Sequence, residues 1–115
     1  MSAFLPERVA TRDRDGEREI TLHLPAGHAC FAGHFSGRPI APGIALLHWA
    51  VVELERWQRR RLAVSAVEAL KFRRPLAPGE TFVLRLARAA QADGFSFELR
   101  DDAGAISSGR VRVRP

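Results

Sequence analysis

Residues 33–49 read GHFSGRPIAPGIALLHW, and the architecture of the whole chain can be worked out from this stretch. Glycine and proline dominate its first half as far as Pro42-Gly43, which predicts an irregular loop that runs into a helix start. Its second half is apolar and predicts a buried helix. His34 lies in the loop and His48 on the helix, fourteen residues apart. An imidazole beside a helix N-terminus with free backbone N–H groups is suited to proton transfer next to an oxyanion.

The predicted helix covers about four turns, from Gly43 to the arginine run 59–61. Its first three turns, through Val52, are apolar nearly all round, which predicts burial on most sides. Its last turns are polar, and the terminal arginines suit the negative end of the helix dipole. A helix of this kind needs more cover than one small sheet provides, so the sequence predicts a dimer.

Around the helix, apolar residues alternate with polar ones, which is typical of half-buried strands. Turn signals at Pro78-Gly79, Asp93-Gly94 and Asp102–Gly104 separate several of these segments. The fold is therefore predicted to be one α+β domain over residues 1–115, with an antiparallel sheet wrapped around one long central helix. The predicted strands are 18–24, 66–72, 81–89, a segment containing Phe95, Phe97 and Leu99, and 106–113.

Composition limits the classes of function. The chain has 115 residues, 27% of them charged, and its longest apolar run is far too short to span a membrane. A single cysteine, Cys30, excludes an internal disulfide and favours the cytoplasm. The net charge of +5 is compatible with a protein that binds nucleic acid. In residues 110–114, however, arginine alternates with valine, and no stacking aromatics are interleaved. We expect an acidic protein partner rather than a nucleic acid, and no metal-ligand pattern is visible.

Three segments resemble the hotdog-fold 3-hydroxyacyl-acyl carrier protein dehydratases of the FabA/FabZ family, over about residues 20–113. Residues 31–43 (FAGHFSGRPIAPG) are similar to the family pattern F-x-G-H-F-P-G-x-P-x-x-P-G. Residues 71–80 (KFRRPLAPGE) are similar to K-F-R-x-P-V-x-P-G-D, and residues 107–110 give a weaker match. Residues 47–50 (LHWA) resemble the ApeI-like branch, which is associated with aryl-polyene biosynthesis.

The resemblance implies a hotdog homodimer or heterodimer that converts (3R)-hydroxyacyl groups on an acyl carrier protein to trans-2-enoyl groups, without cofactor or metal. His34 matches the family's catalytic histidine. Gly43 matches the helix-start glycine whose N–H, with that of Ile44, binds the thioester carbonyl. The family's acidic residue falls on His48, which would then act as the acid. The residues expected to line the substrate slot are Phe35, Pro39, Pro42 and Leu47.

Cationic side chains form a candidate docking patch for the acidic carrier protein and its phosphopantetheine-linked acyl chain. They are Arg59, Arg60, Lys71, Arg73 and Arg74. The alternative interpretation of the helix-end arginines is a solvated surface.

Two further functions remain open at this point. A hotdog acyl thioesterase would use a helix carboxylate, Glu53 or Glu55, although both follow the apolar segment. A non-catalytic acyl-binding subunit, or a subunit that pairs with a second hotdog chain, would explain the missing acid, with His48 only lining the slot.

Overall fold

The computed structural model describes residues 5–27, 43–90 and 93–114, which form an antiparallel sheet and a helix packed against one of its faces. In chain order the elements are β1 (Glu7–Arg14), β2 (Glu17–His23), α1 (Gly43–Gln58), β3 (Val64–Phe72), β4 (Thr81–Arg88), β5 (Gly94–Asp101) and β6 (Gly104–Val113). Their order across the sheet is β1-β2-β4-β5-β6-β3. The predicted α+β class and antiparallel sheet are confirmed, and β1 and β3 form the two edges.

The core lies between the sheet and the helix. Phe82, Leu84 and Leu86 of β4 are buried, and the Phe82 ring stacks on Trp49 of α1 with 6.2 Å between ring centroids. Because side chains alternate along a strand, the residues between them on β4 point to the opposite, outer face. The apolar residues of β2 and β5 follow the same alternation, so the predicted sheet faces are confirmed.

The helix is buried along one face only. Its buried residues are Ala45, Leu46, Trp49, Ala50, Glu53 and Leu54. The expectation of burial on most sides is not met within one chain, since Ile44 is 73% exposed. Glu53 corrects a second expectation: it belongs to the polar end of the predicted helix, yet it is only 4% exposed. Its carboxylate is held by Arg56, 2.8 Å away, and Arg8, 3.4 Å away, which offsets the cost of burying the charge.

Strand β1 was not predicted, because its sequence ERVATRDR shows no apolar alternation and every residue in it is exposed. It becomes a strand by pairing with β2 from Glu7↔His23 to Arg14↔Glu17. The Arg8–Glu53 ion pair ties it to the helix, and Arg18 of β2 forms an ion pair with Asp13. Tertiary pairing, rather than local propensity, therefore makes this strand.

Strand β3 contains a bulge opposite β6. The register shifts between Glu68 and Lys71, and Ala69 has a φ of 53°, a left-handed conformation that costs free energy for any residue with a Cβ. The Ser107 hydroxyl donates a hydrogen bond to the Lys71 carbonyl at 2.9 Å, just past the bulge. Such bulges re-aim side chains, and Ala69 lies three residues before the strand's last residue, Phe72.

Gly109 of β6 provides the space that the Phe97 ring occupies on the neighbouring strand β5. The two residues are register partners, and a Cβ at Gly109 would lie 2.9 Å from Phe97 Cε1 and 3.3 Å from Leu70 Cδ1. Phe97 is buried and cannot retreat into solvent. We expect Gly109→Ala to lower the free energy of unfolding by about 1–3 kcal/mol, as overpacking does. Urea denaturation measures this loss.

Gly27→Ala is the matched control, since nothing lies within 4 Å of a Cβ built there. Equal stability of the Gly109→Ala protein and the wild type would contradict the close packing of Phe97 on β6.

Candidate functional site

The first turn of α1 lies directly against the end of β3. A Cβ at Gly43 would lie 2.9 Å from Phe72 Cζ, so the aromatic ring packs on the glycine at the start of the helix. The first N–H groups of an α-helix have no partner within the helix and carry the positive end of its dipole. These N–H groups, beginning with those of Gly43 and Ile44, can therefore donate hydrogen bonds to a carbonyl oxygen or oxyanion beside the Phe72 ring.

His48 lies on the second turn of the same helix, as predicted, and on its exposed side. Ile44 is one turn before it on that side, and Val51 follows at the next turn. Leu47, next to His48, is half-buried against the core. The imidazole therefore lies within an apolar stripe that the chain's own sheet does not cover, an arrangement more typical of an interface than of a solvated helix face.

The other predicted site residues lie outside the described residues. His34, Phe35, Pro39 and Pro42 all belong to the stretch 28–42. Their roles remain predictions. The described part of the site consists of Gly43, Ile44, Leu47 and His48 on the helix, with Phe72 beside them.

Exposed apolar side chains are concentrated on this side of the molecule. Within the described residues, the exposed large hydrophobic residues are Val9, Ile44, Val64, Leu70 and Phe72. All but Val9 lie on β3 or at the helix start, and Phe72 is 52% exposed. Sequence reasoning did not identify Leu70 and Phe72 as site residues. The sequence did contain a signal for them: apolar and polar residues stop alternating regularly in the segment AVEALKF. A bulge, which shifts the residues after it to the opposite face, explains that irregularity.

The model of the ApeI-like family, described as ApeI dehydratase, matches residues 10–110. The chain belongs to the ApeI-like dehydratase family. The matched range contains the helix start, both predicted catalytic histidines and β2 through most of β6.

Individual relatives agree with this assignment. The 3-hydroxyacyl-[acyl-carrier-protein] dehydratase FabZ of Wolbachia sp. subsp. Drosophila simulans (strain wRi) is 32% identical over 89 residues, covering 71% of this chain and 62% of the relative. The ApeI-like chain thus spans about three fifths of the length of the curated relatives that it matches.

Two solved structures are similar over nearly the whole chain. The dehydratase heterocomplex ApeI:P from Xenorhabdus doucetiae gives a TM-score of 0.87 at 25% identity, covering 96% of this chain and 98% of that one. An uncharacterized protein from Erwinia carotovora subsp. atroseptica gives a TM-score of 0.81 at 26% identity, covering 96% of each chain. The hotdog fold that the sequence predicted is confirmed.

The cations proposed for carrier docking fall into two groups in this ApeI-like chain. Lys71 and Arg73 are exposed on either side of Phe72, near the helix start. Arg59 and Arg60 are exposed just beyond the other end of α1, about 24 Å away for a sixteen-residue helix. Within one chain the two groups do not form a continuous patch. Arg74 differs from both groups because it forms ion pairs with Asp101 and Glu80.

The Arg74–Asp101 pair has a consequence for stability. The Arg74 guanidinium donates to the Asp101 carboxylate and holds the pKa of Asp101 below its ordinary value. A lowered folded-state pKa contributes stability above the ordinary pKa, and this stability is lost as pH falls through the folded-state value. We expect Asp101→Asn to be slightly less stable than the wild type at neutral pH, with the difference disappearing in strong acid.

Urea denaturation at a series of pH values measures this difference. Asp102→Asn, on the adjacent residue of the same turn, is the control. A deficit of Asp101→Asn that persists unchanged in strong acid would mean that packing, not the ion pair, accounts for it.

Among the described residues, no group of three or more His, Cys, Asp or Glu side chains is arranged to hold a metal ion. In the same ranges, no helix is long and apolar enough to cross a membrane.

Proposed function

We propose that this chain dehydrates 3-hydroxyacyl thioesters carried on an acyl carrier protein, converting the (3R)-3-hydroxyacyl group to a trans-2-enoyl group in the cytoplasm. The observation that carries this proposal is the match to the ApeI-like dehydratase family over residues 10–110. FabZ relatives, named as 3-hydroxyacyl-[acyl-carrier-protein] dehydratases, support the same substrate class. Synthesis of an aryl polyene or of a fatty acid is the process in which we place this step.

The chemistry needs three groups. A base removes the proton at C2, and we assign this role to the His34 imidazole, whose ordinary pKa suits a base at neutral pH. Helix-start amides at Gly43 and Ile44 stabilise the enolate-like oxygen of the thioester, which is the role of an oxyanion hole. An acid protonates the departing hydroxyl at C3, and we assign it to His48 as imidazolium. The C2–H and C3–O bonds break, the C2=C3 double bond forms, and water leaves.

A second hotdog subunit is part of the proposal. The edge strand β1 carries mainly charged residues, which protect a sheet edge from pairing, whereas the edge strand β3 is largely apolar. We expect β3 and the helix stripe of Ile44, His48 and Val51 to be covered by a second subunit. That subunit is either a copy of this chain or a different hotdog chain, and the similar ApeI:P structure is named as a heterocomplex. His34 and His48 at one site would then come from different subunits.

The positions of Glu53 and Glu55, the candidate carboxylates, argue against the thioesterase alternative. Glu53 is buried in ion pairs with Arg8 and Arg56, three helical turns away from Gly43. Glu55 accepts a hydrogen bond from the Leu62 backbone N–H at 2.9 Å, beyond the end of the helix. Neither carboxylate lies on the first two turns, where the thioester carbonyl is expected to bind.

One assay tests the proposal. Purified protein receives 3-hydroxyacyl and trans-2-enoyl carrier-protein thioesters, and the interconversion is followed by mass spectrometry while free thiol is measured separately. Interconversion without thiol release supports dehydration, and thiol release supports the thioesterase. The assay is repeated with a candidate hotdog partner chain added. Carrier binding without conversion in both conditions would support the non-catalytic acyl-binding subunit instead.

A further inference from the structure

The sheet face turned away from the helix contains a cleft of about 410 Å³ that spans β3, β4, β5 and β6. It lies on the opposite face of the sheet from the helix, although Lys71, which lines it, is next to Phe72 in the chain. Arg85 and Ala87 line it, and they alternate along β4 with the buried residues that face α1, which fixes the cleft on the outer side. Its lining also includes Gly109, whose neighbours Ser108 and Arg110 on β6 line the cleft as well.

Hydrogen-bond donors surround this cleft. Lys71 pairs in register with Ser108, and Arg110 pairs with Ser96, so that two cations and two hydroxyls share one outer surface. Within the described residues, neither Lys71 nor Arg110 forms an ion pair. Glu68 stands opposite Arg110 in the register, but its carboxylate lies 3.5 Å from Arg112 Nη1. The two cations are therefore available to an anionic ligand.

The remaining charges of the cleft are already compensated. Arg85 forms a two-pronged ion pair with Glu17, with N–O distances of 3.1 and 2.9 Å. Glu98 stands opposite Arg85 in the register and lies 3.5 Å from Arg100 Nη1. Lys71 and Arg110 are thus the charged side chains of the cleft that are not in ion pairs within the described residues, and both are positive.

We propose that this outer cleft binds the phosphate group of a small phosphoester. The donors come from different strands and surround a volume, which suits the three terminal oxygens of a tetrahedral phosphate better than the two coplanar oxygens of a carboxylate. The cleft is larger than a phosphate alone and leaves room for an attached organic group. A volume of about 410 Å³ is in the size range of small-ligand sites, whereas an acidic protein surface needs a wider contact. The site does not depend on the dehydratase activity.

Amide chemical shifts of the intact ¹⁵N-labelled protein test the proposal during titration with inorganic phosphate, glycerol 3-phosphate, glycerol and acetate. We expect both phosphates to shift the amides of Ser96, Ser108 and Arg110 in a saturable way, and glycerol to leave them unchanged. Tighter binding of glycerol 3-phosphate than of phosphate supports the phosphoester, whereas equal binding supports the phosphate site and assigns it to the free anion.

Arg110→Gln is the test variant, and it should weaken glycerol 3-phosphate binding about tenfold, the effect of losing one charge-assisted hydrogen bond. Arg114→Gln removes the same charge four residues farther along the chain, outside the cleft, and should change the affinity less than about twofold. Equal weakening by both variants would overturn the proposal, and so would acetate binding as tightly as phosphate. Tighter binding of an oligoglutamate peptide at the same amides would assign this surface to an acidic protein instead.

Discussion

His34→Ala is expected to lower the dehydration rate about 10²–10⁴-fold, the range for losing a general base. Because the sequence predicts a glycine- and proline-rich loop around residue 34, we expect its truncation to leave the free energy of unfolding nearly unchanged. The measurement is the initial rate of enoyl formation from a 3-hydroxyacyl carrier-protein thioester, with urea denaturation of the same samples. A fall in rate without a fall in stability would identify a catalytic group.

His23→Ala is the matched control. This histidine lies on β2 with its Nδ1 2.9 Å from Thr81 Oγ1, on the outer part of the sheet. Its removal should leave the rate unchanged. If His34→Ala retained wild-type activity while the wild type was active, the assignment of the base would be wrong.

His48→Ala tests whether His48 is the acid that protonates the leaving hydroxyl. If His48 is the acid, its removal should lower the rate as well, and the wild-type rate should fall at acidic pH, where the His34 base becomes protonated. Conversion that survives His48→Ala would mean that another group, or a partner subunit, protonates the leaving hydroxyl.

Trp49→Ala has the largest effect on stability that we expect from a single side chain in the described core. The Trp49 side chain is 1% exposed and its ring stacks on Phe82, joining the helix to the middle of the sheet. Truncation of such a residue costs about 3–5 kcal/mol through lost burial and the cavity left behind. In a domain of this size, that corresponds to a fall of about 10–20 °C in Tm. Differential scanning calorimetry and urea denaturation measure it.

Trp57→Ala on the same helix is the comparison. Trp57 is half-buried, with its ring edge-on to Phe95 and the Arg88 guanidinium 5.4 Å from its centroid. Its loss should cost clearly less than that of Trp49, because a partly exposed ring leaves a smaller cavity. Equal losses for the two variants would mean that another surface, such as a subunit contact, buries Trp57.

Much of the fold was predictable because β2, β4, β5 and the end of β6 alternate apolar and polar residues. Arg110, Arg112 and Arg114 are exposed while Val111 and Val113 are buried, which is the pattern expected for one solvated face. The helix bounds were also predictable, because Pro42-Gly43 marks the start and the arginine run marks the end. Strand ends shifted by one or two residues, as β3 begins at Val64 rather than at residue 66.

Other features depend on tertiary contacts and leave no local signal. Strand β1 looks like a charged loop and becomes regular only through pairing with β2. Glu53 has the sequence context of a solvated helix end, but Arg8, forty-five residues earlier, reaches it from β1. The packing of Phe72 on Gly43 brings together two residues whose segments are predicted separately, and only the three-dimensional structure joins them. For the loop of His34 the sequence remains the source of the prediction.

The position of β3 in the sheet affects how the chain folds while it is being made. Its sheet neighbour within the described chain is β6, so Leu70 and Phe72 emerge from the ribosome well before residues 104–113 exist to pair with them. At about 5–20 residues per second this wait lasts roughly 2–8 s. During that interval both sides of β3 offer unpaired backbone and apolar side chains to whatever is nearby. Nascent chains of this protein are therefore most vulnerable to aggregation at this strand, and most dependent there on chaperones.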